Sequence, residues 1–125
     1  MSSQNNPVLI VEDERLSRKA LAWLLSECGY PTQAYETAEE LLEEVDRGTR
    51  ACAVLADVDL PGMSGMEMLS QLEKKNPGSR VPTVLITAAE GEHIARFCKE
   101  HGCKYLRKPL NLPSLLETLQ KSGVQ

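Results

Sequence analysis

Apolar and polar residues are distributed along the chain in five repeats of a strand-like segment followed by a helix-like segment. Short apolar runs that end at polar residues predict buried strands at residues 8–11, 51–56, 82–86 and 103–106, and residues 31–35 predict a weaker strand. Between them, apolar residues recur at the spacing of amphipathic helices. Apolar strands that alternate with such helices form a parallel sheet covered on both faces, so the pattern predicts a doubly wound α/β fold.

The predicted helices have recognisable ends. Thr37 followed by Glu40 predicts a capping box at the start of the second helix, and Gly29 and Gly102 predict the ends of the first and fourth helices. The spacing of the first helix predicts an apolar face made of Leu16, Ala20, Trp23, Leu24 and Cys28.

The composition is that of one globular domain. The chain has 125 residues, 42% of them hydrophobic, and a formal net charge of -4 from 14 basic and 18 acidic residues. We predict a single domain over residues 7–121, with tails at residues 1–6 and 122–125. No apolar run approaches the ~20 residues of a membrane span. The acidic excess argues against direct binding of nucleic acid.

The polar N-terminus and the four cysteines are used to predict the cellular location of the protein. The chain begins without the basic start and apolar stretch of a signal peptide, which predicts a cytoplasmic location. Thiols stay reduced there. We therefore expect most of the cysteines to be small buried hydrophobic residues. They are Cys28, Cys52, Cys98 and Cys103.

Polar residues stand where the predicted strands end. Glu12 and Asp13 follow the first strand, Asp57 the third and Thr87 the fourth, and Lys108 lies just past the fifth. The C-terminal ends of parallel strands lie at one edge of the sheet, and ligands bind in the crevice there. We therefore expect these five side chains to meet in one pocket.

Such a pocket has a defined chemistry. Two carboxylates about 4 Å apart repel each other by about 4 kcal/mol at an effective dielectric of 20, so one must be protonated or a cation must lie between them. Oxygen ligands on loops suit Mg²⁺. A metal ion, the Lys108 ammonium and the Thr87 hydroxyl around one carboxylate favour phosphoryl transfer to it. Taken singly, Thr87 also fits a helix cap and Lys108 a solvated loop lysine.

The chain resembles the receiver domain of bacterial two-component response regulators over about residues 7–121. The motifs that carry the resemblance are VLIVEDE (8–14), LADVDLPGMSG (55–65), VLITA (84–88) and YLRKP (105–109), in that order. The resemblance implies a flavodoxin-like (βα)5 sandwich with strand order 2-1-3-4-5. It also implies a signalling switch that catalyses only its own phosphorylation and dephosphorylation.

The resemblance assigns roles at the acidic end of the pocket. It implies that Asp57 accepts a phosphoryl group from a phosphohistidine of a sensor histidine kinase or histidine phosphotransfer protein. It further implies a Mg²⁺ site in which Asp13 and Asp57 are ligands, Glu12 acts directly or through water, and the backbone carbonyl of Asp59 is a further ligand.

The resemblance also assigns the switch. Thr87 is implied to hydrogen-bond the phosphoryl group and Lys108 to pair with a phosphoryl oxygen, with the Lys108–Pro109 bond in cis. Tyr105 is implied to turn inward when Thr87 moves. The responding face is the fourth helix, fifth strand and fifth helix, roughly residues 91–121. A downstream output domain or protein, or a second copy of the chain, would bind there.

The sequence also suggests three other interpretations. A pseudo-receiver would have this fold without phosphorylation and serve only for protein interaction. Asp57-Val58-Asp59 also has the D-x-D spacing of haloacid-dehalogenase phosphatases, although those enzymes place the nucleophile after their first strand. A zinc site is disfavoured, because the ligand spacing matches no structural zinc pattern. The residues concerned are His93, Cys98, His101 and Cys103.

Overall fold

Five strands and five helices alternate along the chain. The computed structural model describes residues 6–76, 81–88 and 91–122. Most of the two predicted tails therefore lies outside the described residues. The elements are β1 (Val8–Val11), α1 (Arg15–Glu27), β2 (Thr32–Tyr35), α2 (Ala38–Asp46), β3 (Ala53–Asp57), α3 (Gly65–Lys75), β4 (Thr83–Thr87), α4 (Glu92–His101), β5 (Lys104–Arg107) and α5 (Leu112–Lys121).

The strands form one parallel sheet in the order β2-β1-β3-β4-β5. This confirms the doubly wound α/β fold and the strand order. The register pairs Val11 with Ala56, and Asp57 with Ile86. The C-terminal ends of β1, β3 and β4 therefore lie side by side at one edge of the sheet.

A separate apolar core covers each face of the sheet. Alternate residues of β1 enter different cores, with Leu9 in one and Ile10 in the other. The first core packs against α2, α3 and α4, and the second against α1 and α5. Full burial of a leucine such as Leu25 stabilises the fold by roughly 1.5–3 kcal/mol. The two cores hold the central strands, and hence their C-terminal ends, in fixed positions.

Capping fixes where the helices begin and end. Thr37 and Glu40 form the predicted capping box of α2, and Ser64 and Glu67 form a second one at α3. The fourth helix ends as predicted at Gly102, whose φ of 71° lies in the left-handed region that favours glycine.

The predicted apolar face of α1 is wrong. Leu16 is 74% exposed and Trp23 is 63% exposed, and of the five residues assigned to that face only Leu24 is even half-buried. The helix packs against the sheet through Leu21 and Leu25 instead. The segment has two overlapping sets of apolar residues at helical spacing, and the sheet covers only one of them.

The strand predicted at residues 103–106 is present, but its predicted burial is wrong. β5 begins one residue later, and Lys104, Tyr105 and Arg107 are exposed while Leu106 is half-buried. The strand lies at the edge of the sheet, where it pairs on one side only with β4.

The expected burial of most cysteines is corrected as well. Only Cys98 is buried, whereas Cys28 is exposed and Cys52 and Cys103 are half-buried. Both half-buried cysteines lie directly before a strand, Cys52 before β3 and Cys103 before β5. No helix in the described part of the chain is long and apolar enough to cross a membrane.

Candidate functional site

Three carboxylates gather at the C-terminal edge of the sheet. Glu12, Asp13 and Asp57 each offer one oxygen, and these oxygens all lie within 4.8 Å of one another. Glu12 and Asp57 are each only 3% exposed, whereas Asp13 is exposed. The pairing of β1 with β3 brings the residues that follow Val11 next to Asp57. We call these three residues the acidic cluster.

The side chain of Lys108 supplies a positive charge to this cluster. Its Nζ lies 2.6 Å from Oδ2 of Asp57 and 3.4 Å from Oε1 of Glu12. The backbone N–H of Lys108 donates to the carbonyl oxygen of Thr87 at 2.8 Å, and the Lys108–Pro109 bond is cis, as the family resemblance implies. The C-terminal end of β4 therefore fixes the backbone position of Lys108.

Backbone groups orient the carboxylate of Asp57. Its Oδ1 accepts a hydrogen bond from the backbone N–H of Asp59 at 2.9 Å. The N–H of Val58 donates to the carbonyl oxygen of Ile86 at 2.8 Å, which continues the β3–β4 ladder past Asp57. Each Asp57 oxygen thus has a donor, and the side chain is held before any ligand arrives.

Hydrogen bonds hold both the side chain and the backbone of Glu12 in place. Its Oε2 accepts from the N–H of Glu14 at 3.1 Å, and its carbonyl oxygen accepts from Nη1 of Arg18 at 2.9 Å. Glu14 in turn caps α1 by accepting from the N–H of Ser17. The start of α1 and the acidic cluster are therefore one connected unit.

The electrostatics of the site show an excess of negative charge. Burial and the nearby Asp57 raise the pKa of Glu12, although the N–H of Glu14 and the Lys108 ammonium oppose the shift. Burial works to lower the pKa of Lys108, but the hydrogen bond to Asp57 and the charges of Asp57 and Glu12 outweigh it and raise that pKa. One lysine is set against three carboxylates, so the site favours a further cation.

The remaining predicted site residues lie around this cluster. Thr87 is the last residue of β4 and is 1% exposed, one position beyond the residue that pairs with Asp57. The side chain of Asp59 is exposed, and its carboxylate does not belong to the group of three oxygens. Tyr105 on β5 is 41% exposed.

Sequence reasoning missed two residues that shape the site. Arg18 holds the backbone of Glu12, and a basic residue in the first turn after an acidic strand end is the available signal. Gly65 begins α3, and a Cβ there would lie 2.5 Å from the backbone oxygen of Asp57. A glycine directly after a capping residue is the only signal of that close approach.

Among the described residues, the acidic cluster is the only group of carboxylates, histidines or cysteines close enough together to hold a metal ion. The four residues considered for zinc do not form such a group there. His101 stacks on the ring of Phe97 with 4.0 Å between centroids, and its Nδ1 lies 2.7 Å from Oε1 of Glu73. Cys98 and Cys103 contact each other.

Comparison with known proteins agrees with this geometry. The family model of the response regulator receiver domain matches residues 8–120. The chain is 30% identical over 114 residues to the polar-differentiation response regulator DivK of Brucella anthropi, which covers 90% of this chain and 92% of that protein. It is 38% identical over 112 residues to a cyclic di-GMP phosphodiesterase of Thermotoga maritima, but it spans only 28% of that protein's length.

A solved structure with this fold carries ligands. The response regulator protein TrrA from Thermotoga maritima, in complex with Mg(2+)-BeF, superposes with a TM-score of 0.80 at 28% sequence identity. The alignment covers 94% of this chain and 98% of that one.

Proposed function

Because this chain belongs to the response regulator receiver domain family of two-component signalling, we propose that it accepts a phosphoryl group on Asp57. The donor is a phosphohistidine of a sensor histidine kinase or a histidine phosphotransfer protein. The observation that carries the proposal is the Lys108 ammonium, 2.6 Å from Oδ2 of Asp57 and beside two more carboxylates.

The acidic cluster fits Mg²⁺ as the cation of this reaction. Carboxylate oxygens are the hard ligands that Mg²⁺ takes, and it keeps water and phosphate oxygens in its other positions. We propose that Asp13 and Asp57 are ligands, that Glu12 acts directly or through water, and that Asp59 contributes its backbone carbonyl. When bound, Mg²⁺ supplies positive charge that offsets these carboxylates and the phosphoryl oxygens.

The protein's own residues carry out the transfer by positioning. An Asp57 carboxylate oxygen forms a bond to phosphorus while the phosphorus–nitrogen bond of phosphohistidine breaks, and the bonding electron pair stays on the imidazole nitrogen. Lys108 stabilises the negative charge on a phosphoryl oxygen. The Asp59 N–H keeps the carboxylate oriented during the attack. The product is an acyl phosphate.

We propose that the signal leaves through the face formed by α4, β5 and α5. Thr87 ends β4 beside the acidic cluster and its carbonyl accepts from Lys108, so a phosphoryl group that engages Thr87 and Lys108 acts on β4 and β5 together. Tyr105 on the exposed edge strand then turns inward. A coupling of about 1–3 kcal/mol is typical for such two-state changes.

The proposed partners follow from this face. An output domain or protein, or a second copy of the chain, binds the α4-β5-α5 face after phosphorylation. We place the exchange in the cytoplasm, where a reducing environment keeps free thiols such as the four cysteines reduced.

Mass spectrometry of the intact protein tests the proposal. Incubation with Mg²⁺ and acetyl phosphate should add one phosphoryl group to the wild-type chain and none to the Asp57→Asn variant. The Asp46→Asn variant is the matched control, because it removes an exposed acid on α2 and should still be phosphorylated.

The alternatives give different outcomes. A wild-type chain that gains no phosphoryl group with acetyl phosphate or with a phosphohistidine donor is a pseudo-receiver. Sustained hydrolysis of a phosphomonoester such as p-nitrophenyl phosphate would indicate a phosphatase instead. Phosphorylation of Asp57→Asn at the wild-type level would show that the acceptor is another residue.

A further inference from the structure

Two cysteine side chains meet where α4 ends and β5 begins. The backbone turns at Gly102, and the N–H of Cys103 donates to the carbonyl oxygen of Cys98 at 3.0 Å. This bond, which spans five residues across a left-handed glycine, is the mark of a Schellman motif. That motif packs together the side chains of the two residues it links. Here both are cysteines.

The two thiols are in direct contact. The Cys103 thiol donates to Sγ of Cys98, and the sulfur atoms are 3.0 Å apart. Cys98 is a residue of α4 and is buried in the first core, whereas Cys103 packs against the same core and is half-buried. Cys98 is therefore the buried residue of the pair, and Cys103 is the more accessible one.

The contact couples the ionisation of the two thiols. The hydrogen bond from Cys103 lowers the pKa of Cys98 against the effect of burial. The same bond raises the pKa of Cys103, together with burial and the charges of Cys98 and Glu73. The first proton is therefore lost from the pair as a unit, and the thiolate that remains is the reactive form of cysteine.

We propose that Cys98 and Cys103 form a redox-sensitive pair, which hydrogen peroxide converts into an intramolecular disulfide between the end of α4 and the start of β5. The thiolate of either cysteine attacks one peroxide oxygen, the O–O bond breaks, and the released hydroxide takes a proton to become water. The other sulfur then attacks the resulting sulfenic acid, and hydroxide leaves with the proton of that thiol as a second water. Overall, two thiols and one peroxide give one disulfide and two waters.

The geometry favours this pairing over others. The backbone hydrogen bond already holds the two residues together, and their sulfur atoms lie 3.0 Å apart. Disulfides in reducing compartments are usually transient and sense the redox state. The link would tie α4 to β5 within the face that we propose responds to phosphorylation. Disulfide formation itself is independent of phosphoryl transfer, so the two proposals can fail separately.

Peptide mapping of the oxidised full-length protein tests the pair. The reduced protein is treated with hydrogen peroxide, blocked with iodoacetamide and digested with trypsin without reductant. Trypsin cleaves after Arg96, Lys99 and Lys104, so the disulfide should join the peptides of residues 97–99 and 100–104. The intact oxidised protein should take up two alkyl groups instead of four, and dithiothreitol should restore all four.

Matched variants separate this pair from general oxidation. The Cys28→Ser/Cys52→Ser double variant should form the linked peptides as the wild type does. The Cys103→Ser variant keeps a hydroxyl donor toward Cys98 and should form no linked peptide. The proposal is overturned if all four cysteines remain alkylated after peroxide, if Cys98 goes to sulfinic acid without a disulfide, or if the links involve Cys28 or Cys52 in place of the Cys98–Cys103 bond.

Discussion

Replacement of Asp13 by asparagine tests the charge balance of the acidic cluster. Its side chain makes no hydrogen bond or ion pair with the residues that the structure describes, whereas Asp57 holds Lys108. Two charges 4.8 Å apart interact by about 3.5 kcal/mol at an effective dielectric of 20. Because Asp13 is exposed, water and salt reduce this repulsion to about 1 kcal/mol. Without metal, Asp13→Asn should therefore raise the melting temperature by about 4 °C.

Magnesium should reverse the order of stability. A ligand that binds only the folded state stabilises it by about 1.4 kcal/mol at ten times its dissociation constant. Asp13→Asn lacks one of the proposed ligands and should gain less. Thermal unfolding in EDTA measures the effect of the charge, and thermal unfolding across a Mg²⁺ titration measures the effect of the metal. Asp13→Asn should be more stable than the wild type in EDTA and less stable in saturating Mg²⁺.

A charge-matched control makes the result specific. Glu43→Gln removes one exposed negative charge on α2, outside the acidic cluster, and its stability relative to the wild type should not change with Mg²⁺. The reasoning fails if Asp13→Asn is less stable than the wild type in EDTA, or if it gains as much stability from Mg²⁺ as the wild type does.

Two further predictions concern the packing and the titration of the site. Gly65→Ala should lower the free energy of unfolding by about 1–3 kcal/mol in urea titration, because the new Cβ meets the Asp57 backbone. Gly91→Ala should cost less, because its Cβ meets side-chain atoms of His93 and Ile94 and no backbone, and equal costs would contradict the argument. The raised pKa of Glu12 favours its protonated form in the folded state, so its contribution to stability is full below about pH 4.5 and is lost as the pH rises through the raised value. In EDTA, the wild type should therefore lose stability relative to Glu12→Gln as the pH rises from 4.5 to 7, and a relative gain would contradict this sign.

The position of the acidic cluster could be predicted from the sequence because it depends only on topology. Glu12 and Asp57 follow strands that are continuous apolar runs, and parallel strands bring their C-terminal ends to one edge whatever the details of packing. Lys108 lies 96 residues from Glu12 but follows the same rule. The support from Arg18 also depends on the conformation of one long side chain, which its position in the first turn of α1 does not determine.

The packing of α1 could not be predicted from periodicity alone. A helix with two overlapping apolar sets has two solutions, and the sheet to which it is joined selects between them. The short connection from Val11 to Arg15 limits how α1 can turn about its axis, and Leu21 and Leu25 then face the sheet. Trp23 is left in water, although a large aromatic residue at helical spacing usually indicates a core position.

The exposure of β5 and the contact between the two cysteines were missed for related reasons. Whether an apolar strand is central or lies at an edge depends on strand order, which residues 103–106 alone do not contain. The spacing of Cys98 and Cys103 around Gly102 is the signal of a Schellman contact, but it is meaningful only once Gly102 is known to end the helix in a left-handed conformation.

The long separation between Glu12 and Lys108 has a consequence for protein synthesis. A growing chain on the ribosome contains Glu12 and Asp57 well before Lys108, whose positive charge offsets theirs, has been synthesised. Under the proposed chemistry, a chain that lacks Lys108 cannot be phosphorylated. Phosphorylation becomes possible only when β5 has joined the sheet. Truncated translation products would therefore not compete with the folded protein for the phosphoryl donor.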